Sequence, residues 1–358
     1  MRRLLSTIGQ ATVAELCLGG AVLGMAGLAG WFSGWLDVVA AFAPVWLAVS
    51  ALGAALAWPT LGREMRRPAL IAAAVGILAN LALMAPEYLR PIPIASGASA
   101  PASGLGPPFT VLTFNVWDDN RRADETADVI LKANADVVLL QEYFGLGMHA
   151  KQLISAAYPY RAGCPAGCDL VMLSKRPWLV GGPTTANADP HDTAIWGETT
   201  APDGRPVEVM TLHYAWPAPP GVLVLQRKVV ASVVAGLPKA NLIVAGDTNL
   251  APWTAALKGQ DAAFAPMTRR DRALFTWPAL IERMGRPAPF PLLPIDHLYA
   301  GAAWKTLAVR RLPRAGSDHF GVLVTLARDA GPPAPAAATP AAAAPAPTTD
   351  ARPESGAW

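Results

Sequence analysis

Charge is scarce in this chain: only 15% of its 358 residues are Asp, Glu, Lys or Arg. With a positive mean hydropathy, that shortage points to membrane segments before any residue is placed. Across residues 109–330 the basic and acidic residues nearly balance, so there is no broad basic field of the kind that non-specific duplex binding uses. No internal repeat or heptad pattern runs through the chain. Cysteine is rarer still, with three residues. Cys17 falls in an apolar stretch, while Cys164 and Cys168 flank Pro-Ala-Gly, a spacing that suits a small disulfide loop outside the cytoplasm. A metal clip there would need more ligands than the neighbourhood supplies.

Three apolar stretches, 13–31, 38–57 and 69–85, are each close to the ~20 residues that cross a bilayer core. A secretory signal has one shorter apolar core, so three argue for a retained anchor. Gly20 and Gly24 form a small-xxx-small pair that fits either helix packing or compositional bias. Arg2 and Arg3 precede the first stretch, and Arg63, Arg66 and Arg67 separate the second from the third. The turn from Ser33 to Asp37 has no Lys or Arg, and the flanking Trp31 and Trp35 suit an interface. The basic residues mark the cytoplasmic side, which places everything after Pro86 outside the cytoplasm, on an inner membrane.

Residues 91–108 read as a Pro/Gly/Ser/Ala linker, and 331–358 as a disordered Pro/Ala-rich tail. Between them, 109–116, 136–142, 170–174, 207–213 and 242–245 are short apolar, β-branched runs that predict buried strands, the last broken by Gly246. Further strands are expected around Asp296 and from Ser317 to Val324. Helices are predicted over 122–133, 146–157 and 221–235, the last with Gln226, Arg227 and Lys228 on its outer side. Asn115, Glu142, His213, Asp247 and Asn249 close apolar strands at their carboxyl ends; Asp296 lies within a strand, and Asp318 and His319 start one. Open α/β sheets place ligands at such ends. Asp, Glu and Asn oxygens are the ligands that hard cations such as Mg²⁺ take.

The ordered pieces Thr113-Phe-Asn115, Leu140-Gln-Glu142, Leu173-Ser-Lys175, Thr211-Leu-His213, Gly246-Asp-Thr-Asn249, Ile295-Asp296 and Ser317-Asp-His319 resemble the endonuclease/exonuclease/phosphatase superfamily, which has the deoxyribonuclease I-like fold. Thr248 stands where that superfamily usually has Phe, and Cys-Asp-Leu-Val-Met precedes Leu173 where many relatives begin a strand with Gly. The resemblance implies an α/β fold, a four-layer sandwich of two packed mixed sheets flanked by helices, here preceded by three transmembrane helices. It implies Glu142 as principal metal ligand with Asn115 and Asp318, holding Mg²⁺ or alternatively Mn²⁺ or Ca²⁺. His319 would be the catalytic histidine held by Asp296, with His213 stabilising the transition state or protonating the leaving group. Asp247 and Asn249 would orient the attacking water and bind the phosphate. In-line attack on a phosphate ester rests on positioning and charge neutralisation, which this set supplies.

Other polar residues carry plainer readings. His149 and His191 read as structural or solvent-exposed, and His297 as structural on the opposite face of its strand from Asp296. Asp118, Asp119 and Asp124 read as loop and helix-cap carboxylates. Arg269, Arg270 and Arg272 read as a solvated loop rather than a substrate clamp. Trp253 and Thr276-Trp-Pro278 either line the site or pack beneath it.

The expected function is a membrane-anchored, metal-dependent phosphoesterase acting on a lipid head group or on nucleic acid, with the lipid bilayer as partner and no protein partner inferred. The alternatives are a nuclease acting on extracytoplasmic nucleic acid and a catalytically inactive, membrane-tethered binding protein. A reporter fused after Ala85 tests the topology: an extracytoplasmic signal is expected, and a cytoplasmic one overturns it.

Overall fold

The computed structural model describes residues 2–91, 104–163, 169–184, 193–281 and 285–330. Cys164, Cys168, His191, most of the expected linker and the 331–358 tail lie outside them. The chain opens with helices α1 (Arg2–Leu28), α2 (Gly34–Ala41), α3 (Ala43–Thr60) and α4 (Arg63–Leu89). Thr7–Leu28, Ala43–Thr60 and Arg63–Leu89 are long and apolar enough to cross a membrane. The second begins later than the expected 38–57, because the helix breaks at Phe42. Pro44 has no N–H, and in an unbroken helix its ring would strike the Ala40 carbonyl. Gly20 and Gly24 do serve packing: Gly20 faces Ser50 of α3, and a Cβ on Gly24 would lie 2.6 Å from Asn80 Nδ2 of α4.

The remainder alternates strands and helices. First come β1 (Phe109–Asn115), α5 (Ala123–Ala133), β2 (Val137–Gln141), α6 (Met148–Ala157), β3 (Tyr160–Gly163) and β4 (Val171–Ser174). Next are β5 (Trp178–Thr184), β6 (Ala194–Thr200), β7 (Pro206–His213), α7 (Pro220–Gly236), β8 (Ile243–Asp247) and α8 (Ala255–Phe264). The two-residue strands β9 (Thr268–Arg269), β10 (Leu280–Ile281) and β11 (Arg286–Pro287) follow, then β12 (Asp296–Ala300), β13 (Trp304–Arg311) and β14 (Val322–Arg328). They form two six-stranded mixed sheets, ordered β13-β14-β1-β2-β4-β3 and β5-β6-β7-β8-β12-β9, with β10-β11 as a separate ribbon. Residues 104–108 of the expected linker join this body, since Leu105 bridges Asp329 and Gly106 N–H donates to the Arg328 carbonyl.

Period-2 alternation distributes the apolar residues into four layers. Phe109 and Val111 of β1, Val137 and Leu139 of β2, Val207 and Val209 of β7, and Ile243 and Ala245 of β8 meet between the sheets. The opposite parity, Leu112 and Phe114 of β1, packs on α5 and α6 through Ile130 and Ile154. Val244 and Tyr299 pack on α7 and α8 through Val230 and Phe264. β1 runs parallel to β2, and β7 parallel to β8. Their carboxyl ends therefore share one edge of the sandwich. Gly246 lies in that edge where a Cβ would strike the Leu212 carbonyl, which holds β7 and β8 in close register.

Helix α7 departs from its expected amphipathic arrangement. Gln226 is buried and accepts the Ala215 N–H at 2.7 Å, whereas the apolar Val222, Val224 and Leu225 are exposed. The arginine run is no solvated loop. Arg269 is 4% exposed and pairs with Glu87 of α4 at 2.9 Å and with Asp261 at 3.2 Å. Arg272 donates to the Arg90 carbonyl, and Arg90 returns bonds to the carbonyls of Arg269 and Asp271. Around this seam Ala40, Leu83 and Met84 of the leading helices pack with Trp253, Leu293 and Ile295. The carboxylate of Asp37 caps α8, accepting from Ala255 N at 2.6 Å and Ala256 N at 2.8 Å. The leading helices and the sandwich are thus one packed body rather than a domain on a string.

Removing one side of a buried ion pair strands the other charge, at about 3–5 kcal/mol. Glu87→Gln in the full chain is therefore expected to lower the thermal midpoint by several degrees. An unchanged midpoint would show that Asp261 and Asp271 alone hold Arg269.

Candidate active site

The inner-face parity that builds the apolar core continues to the carboxyl edge, where its residues turn polar. Along β1, positions 109, 111, 113 and 115 face the other sheet, ending on Thr113 and Asn115; β2 ends that parity on Gln141, β7 on Thr211 and His213, and β8 on Asp247. Strand β12 runs antiparallel to β8 with Asp296 opposite Asp247, so its first residue joins the same edge. Strand β14 runs antiparallel to β1, pairing Val322 with Thr113, so the preceding Ser317-Asp-His319 also arrives there. Those three residues lie in a loop and not in the expected strand, because the ladder begins only at Val322. Ser317 Oγ donates to the Asn115 carbonyl and accepts the His319 N–H, pinning that loop.

Two of the expected site residues break the alternation. Glu142 follows Gln141 and would point away from the edge, but φ is +54° there; Asn249 has φ +51°. Left-handed backbone at non-glycine residues costs on the order of 1–3 kcal/mol and clusters at functional sites. At Glu142 it turns the carboxylate toward Asn115, whose Nδ2 donates to Glu142 Oε1 at 2.7 Å and to Asp247 Oδ2 at 3.0 Å. Asp118 N–H donates to Glu142 Oε2 at 2.8 Å.

Asp247 Oδ2 is the node. It lies 3.5 Å from His319 Nε2 and 3.8 Å from His213 Nε2, while Oδ1 accepts the Asn249 N–H at 2.8 Å. Each histidine is held from behind at 2.9 Å through Nδ1, His319 by Asp296 and His213 by Asp169. Asp169 was not singled out in the sequence. Its signal was the departure before Leu173, where an acidic residue interrupts an otherwise apolar strand entry.

Burial alone would depress both imidazoles, but the carboxylates around them win. His213 is raised to about 9 by Asp169, Asp247 and Glu142, and His319 is held well above its ordinary value by Asp296, Asp247 and Asp318. Burial pushes the Asp247 carboxyl up, against the pull of His319 and His213. Burial, with Glu142 and Asp169 nearby, also raises the carboxyl of Asp118, which lies in the turn after β1 as expected.

The donor set suits a hard cation. Asp247, Asp296 and His319 offer ligand atoms within 4.8 Å of one another, and Asp296 Oδ1 is buried with no hydrogen-bond partner among the described residues. Glu142 adds a fourth group at the same edge. Asn115 is turned the other way, with its amide nitrogen on the carboxylates and its Oδ1 accepting Trp117 N–H at 3.0 Å, so it serves a cation through oxygen only if the amide rotates. Asp318 accepts the Trp277 indole N–H at 2.9 Å. Trp277 thus lines the site and Trp253 packs beneath it, its Nε1 on the Ala41 carbonyl. His297 is structural: Nδ1 meets Asp271 and Nε2 the Leu250 carbonyl. His149 pairs with Asp124 at the surface.

A histidine whose pKa rises on folding stabilises the fold fully below its unfolded value, about 6.5, and that contribution disappears as pH climbs through the folded value. For His213 the window is from about 6.5 to about 9. Ring signals in labelled, chelated protein should titrate near the top of it, and Asp169→Asn should move them down. A wild-type midpoint near 6.5 would contradict the pairing.

A model of the Endonuclease/Exonuclease/phosphatase family matches residues 112–319. Among solved structures, D. rerio TDP2 complexed with single-strand DNA product aligns with a TM-score of 0.51 at 19% identity, covering 62% of this chain and 99% of that one. An endonuclease/exonuclease/phosphatase from Beutenbergia cavernae aligns at 0.49 and 18% identity, covering 63% and 72%. Sphingomyelinase C from Streptomyces griseocarneus aligns at 0.45 and 18%, covering 62% and 99%. No curated protein matches the sequence. With more than half its length matched and the acidic and histidine groups gathered at one sheet edge, the chain belongs to the endonuclease/exonuclease/phosphatase family.

Proposed function

We propose that the chain is a membrane-anchored, metal-dependent phosphoesterase, with residues 1–90 as anchor and 109–330 as the catalytic unit on the extracytoplasmic side. The observation that carries this reading is the convergence of two Asp–His pairs on one carboxylate oxygen, Asp247 Oδ2. His319 on Asp296 transfers the proton of the attacking water, and His213 on Asp169 bonds the charge building on the phosphate or protonates the leaving oxygen. Asp247 and Asn249 orient the water; the Asn249 amide is locked by its bond to the Tyr214 carbonyl. Glu142, with Asp318 and a rotated Asn115, would hold Mg²⁺, Mn²⁺ or Ca²⁺, which when bound neutralises a non-bridging phosphate oxygen. We assign His319 to proton transfer because Asp296 holds Nδ1 and so aims Nε2 toward Asp247, where the attacking water would be oriented.

Among phosphate esters, a lipid head group is favoured over nucleic acid. Trp277 bonds Asp318 in the site and packs in the same cluster as Leu83 and Met84 of the leading helices, so the site stands close to the ends of the membrane-length helices.

The full chain in detergent should hydrolyse a generic phosphodiester with Mg²⁺ and stop on chelation. His319→Ala should reduce the rate by about 10²–10⁴-fold. Activity that survives both treatments would sink the mechanism, and none at all would favour the tethered binding protein. In a panel of sphingomyelin-like lipids, phosphoinositides, and single- and double-stranded DNA, cleavage of DNA alone would exclude the lipid reading.

A further inference from the structure

The exposed apolar face of α7 has a neighbour that explains it. Gly34, at the start of α2, packs directly against Pro220 in the first turn of α7. The turn just before Gly34 displays Trp31 and Phe32, 64% and 90% exposed, and Trp35 follows. On the membrane placement proposed above, these rings lie at head-group depth. Val222, Val224 and Leu225 extend the same apolar surface along α7.

A groove leads from this surface between α7 and α8. It consists of a cavity of about 310 Å³ bounded by Trp31, Val38 and Leu223, and a second of about 270 Å³ farther along both helices. Val224 and Arg227 line both. The outer cavity is also lined by Lys228 and by Gln260, which is 2% exposed. Arg227 Nε and both amide atoms of Gln260 are buried without a hydrogen-bond partner among the described residues. Buried polar atoms left unpaired cost free energy, and a polar guest reached by a small turn of these two lining side chains would offset it. Asp37 also lines the inner cavity, but both its oxygens are committed to the α8 backbone. Arg227 and Lys228 outweigh Asp37, so the groove's balance is positive and the guest is an anion. Gln260 asks in addition for a group that donates as well as accepts, such as a hydroxyl.

We propose that the α7–α8 groove binds an anionic glycerophospholipid taken from the adjacent leaflet. Its phosphate sits on Arg227, its hydroxylated head group bonds Gln260, and its acyl chains lie along Val224, Leu223 and Trp31. This site is separate from the catalytic edge, yet Asn249 and Leu250 form part of its inner wall. An occupied groove thereby braces the strand end that carries Asp247 and Asn249. The inference rests on the membrane placement above but not on catalysis.

Full-length protein in neutral detergent, with chelator present to prevent turnover, is titrated with phosphatidylglycerol or phosphatidylcholine, and bound lipid is counted by native mass spectrometry. Phosphatidylglycerol should bind preferentially. Arg227→Gln and Gln260→Leu should each weaken it about tenfold, the usual worth of a hydrogen bond to a charged group. Gln260→Leu removes unpaired polar atoms and is expected to fold at least as well as the native chain, so it carries the test if Arg227→Gln does not fold. Equal binding of the two lipids overturns the proposal, as does native affinity in Gln260→Leu, or complete displacement by inorganic phosphate at concentrations matching the lipid. Preferential binding in a chain that hydrolyses nothing would remove the proposed catalysis and leave this site standing.

Discussion

A carboxylate buried to 1% exposure sets the terms for this molecule. Asp247 can remain charged there only if donors reach it from every side, because its desolvation has to be offset by bonds and by opposite charge. No single strand can supply them. The Asn115 amide comes from one sheet, His213 from the other and His319 from the loop before β14, while Asn249 closes the fourth direction with its backbone N–H. The two sheets must then hold a common register at that edge. The buried contacts of Gln141 Nε2 with Thr211 Oγ1 at 2.8 Å and with Thr113 Oγ1 at 3.2 Å tie them together directly behind it. Those three residues belong to the same sequence pieces as Asn115, Glu142 and His213, so each piece carries one group that ties the sheets and one that reaches the edge around Asp247.

The leading helices are drawn into the same arrangement. Glu87 at the end of α4 neutralises Arg269, Arg269 lies 3.7 Å from Asp271, and Asp271 holds His297 on the strand that begins with Asp296. Burial works against it, but His297 and Arg269 hold the Asp271 carboxyl below its ordinary range. The strand bearing the Asp296–His319 pair is thus braced from the helix end of the molecule. Cutting between Leu89 and Phe109 would leave Arg269 short of a partner and expose the cluster around Trp253.

Much of this was legible in the chain. Short apolar runs closing on polar residues located β1, β2, β7 and β8 and nearly all of their functional ends, since strand periodicity and a buried core leave little choice of face. Ser317-Asp-His319 was recognised as a piece but misplaced into a strand, because the register that starts β14 at Val322 is set by pairing with β1. The arginine run was read as solvated because the partner that buries it, Glu87, lies 182 residues away. Gln226 was read as outward because helical spacing gives a face but not which face meets water. On α7 the buried face is the one where the Ala215 N–H, from outside the helix, meets Gln226.

Alternation and composition by themselves determined that the chain has membrane-length helices, a two-faced set of buried strands and a polar edge rich in oxygen ligands. These are local properties of residue type and period. Tertiary structure alone decided that Asp169 backs His213, that both histidines meet on one oxygen of Asp247, and that Arg227 Nε and the Gln260 amide, between α7 and α8, have no hydrogen-bond partner among the described residues. Each of those depends on distances between segments far apart in sequence. Such distances are set by how the sheets and helices pack, and no local pattern encodes them.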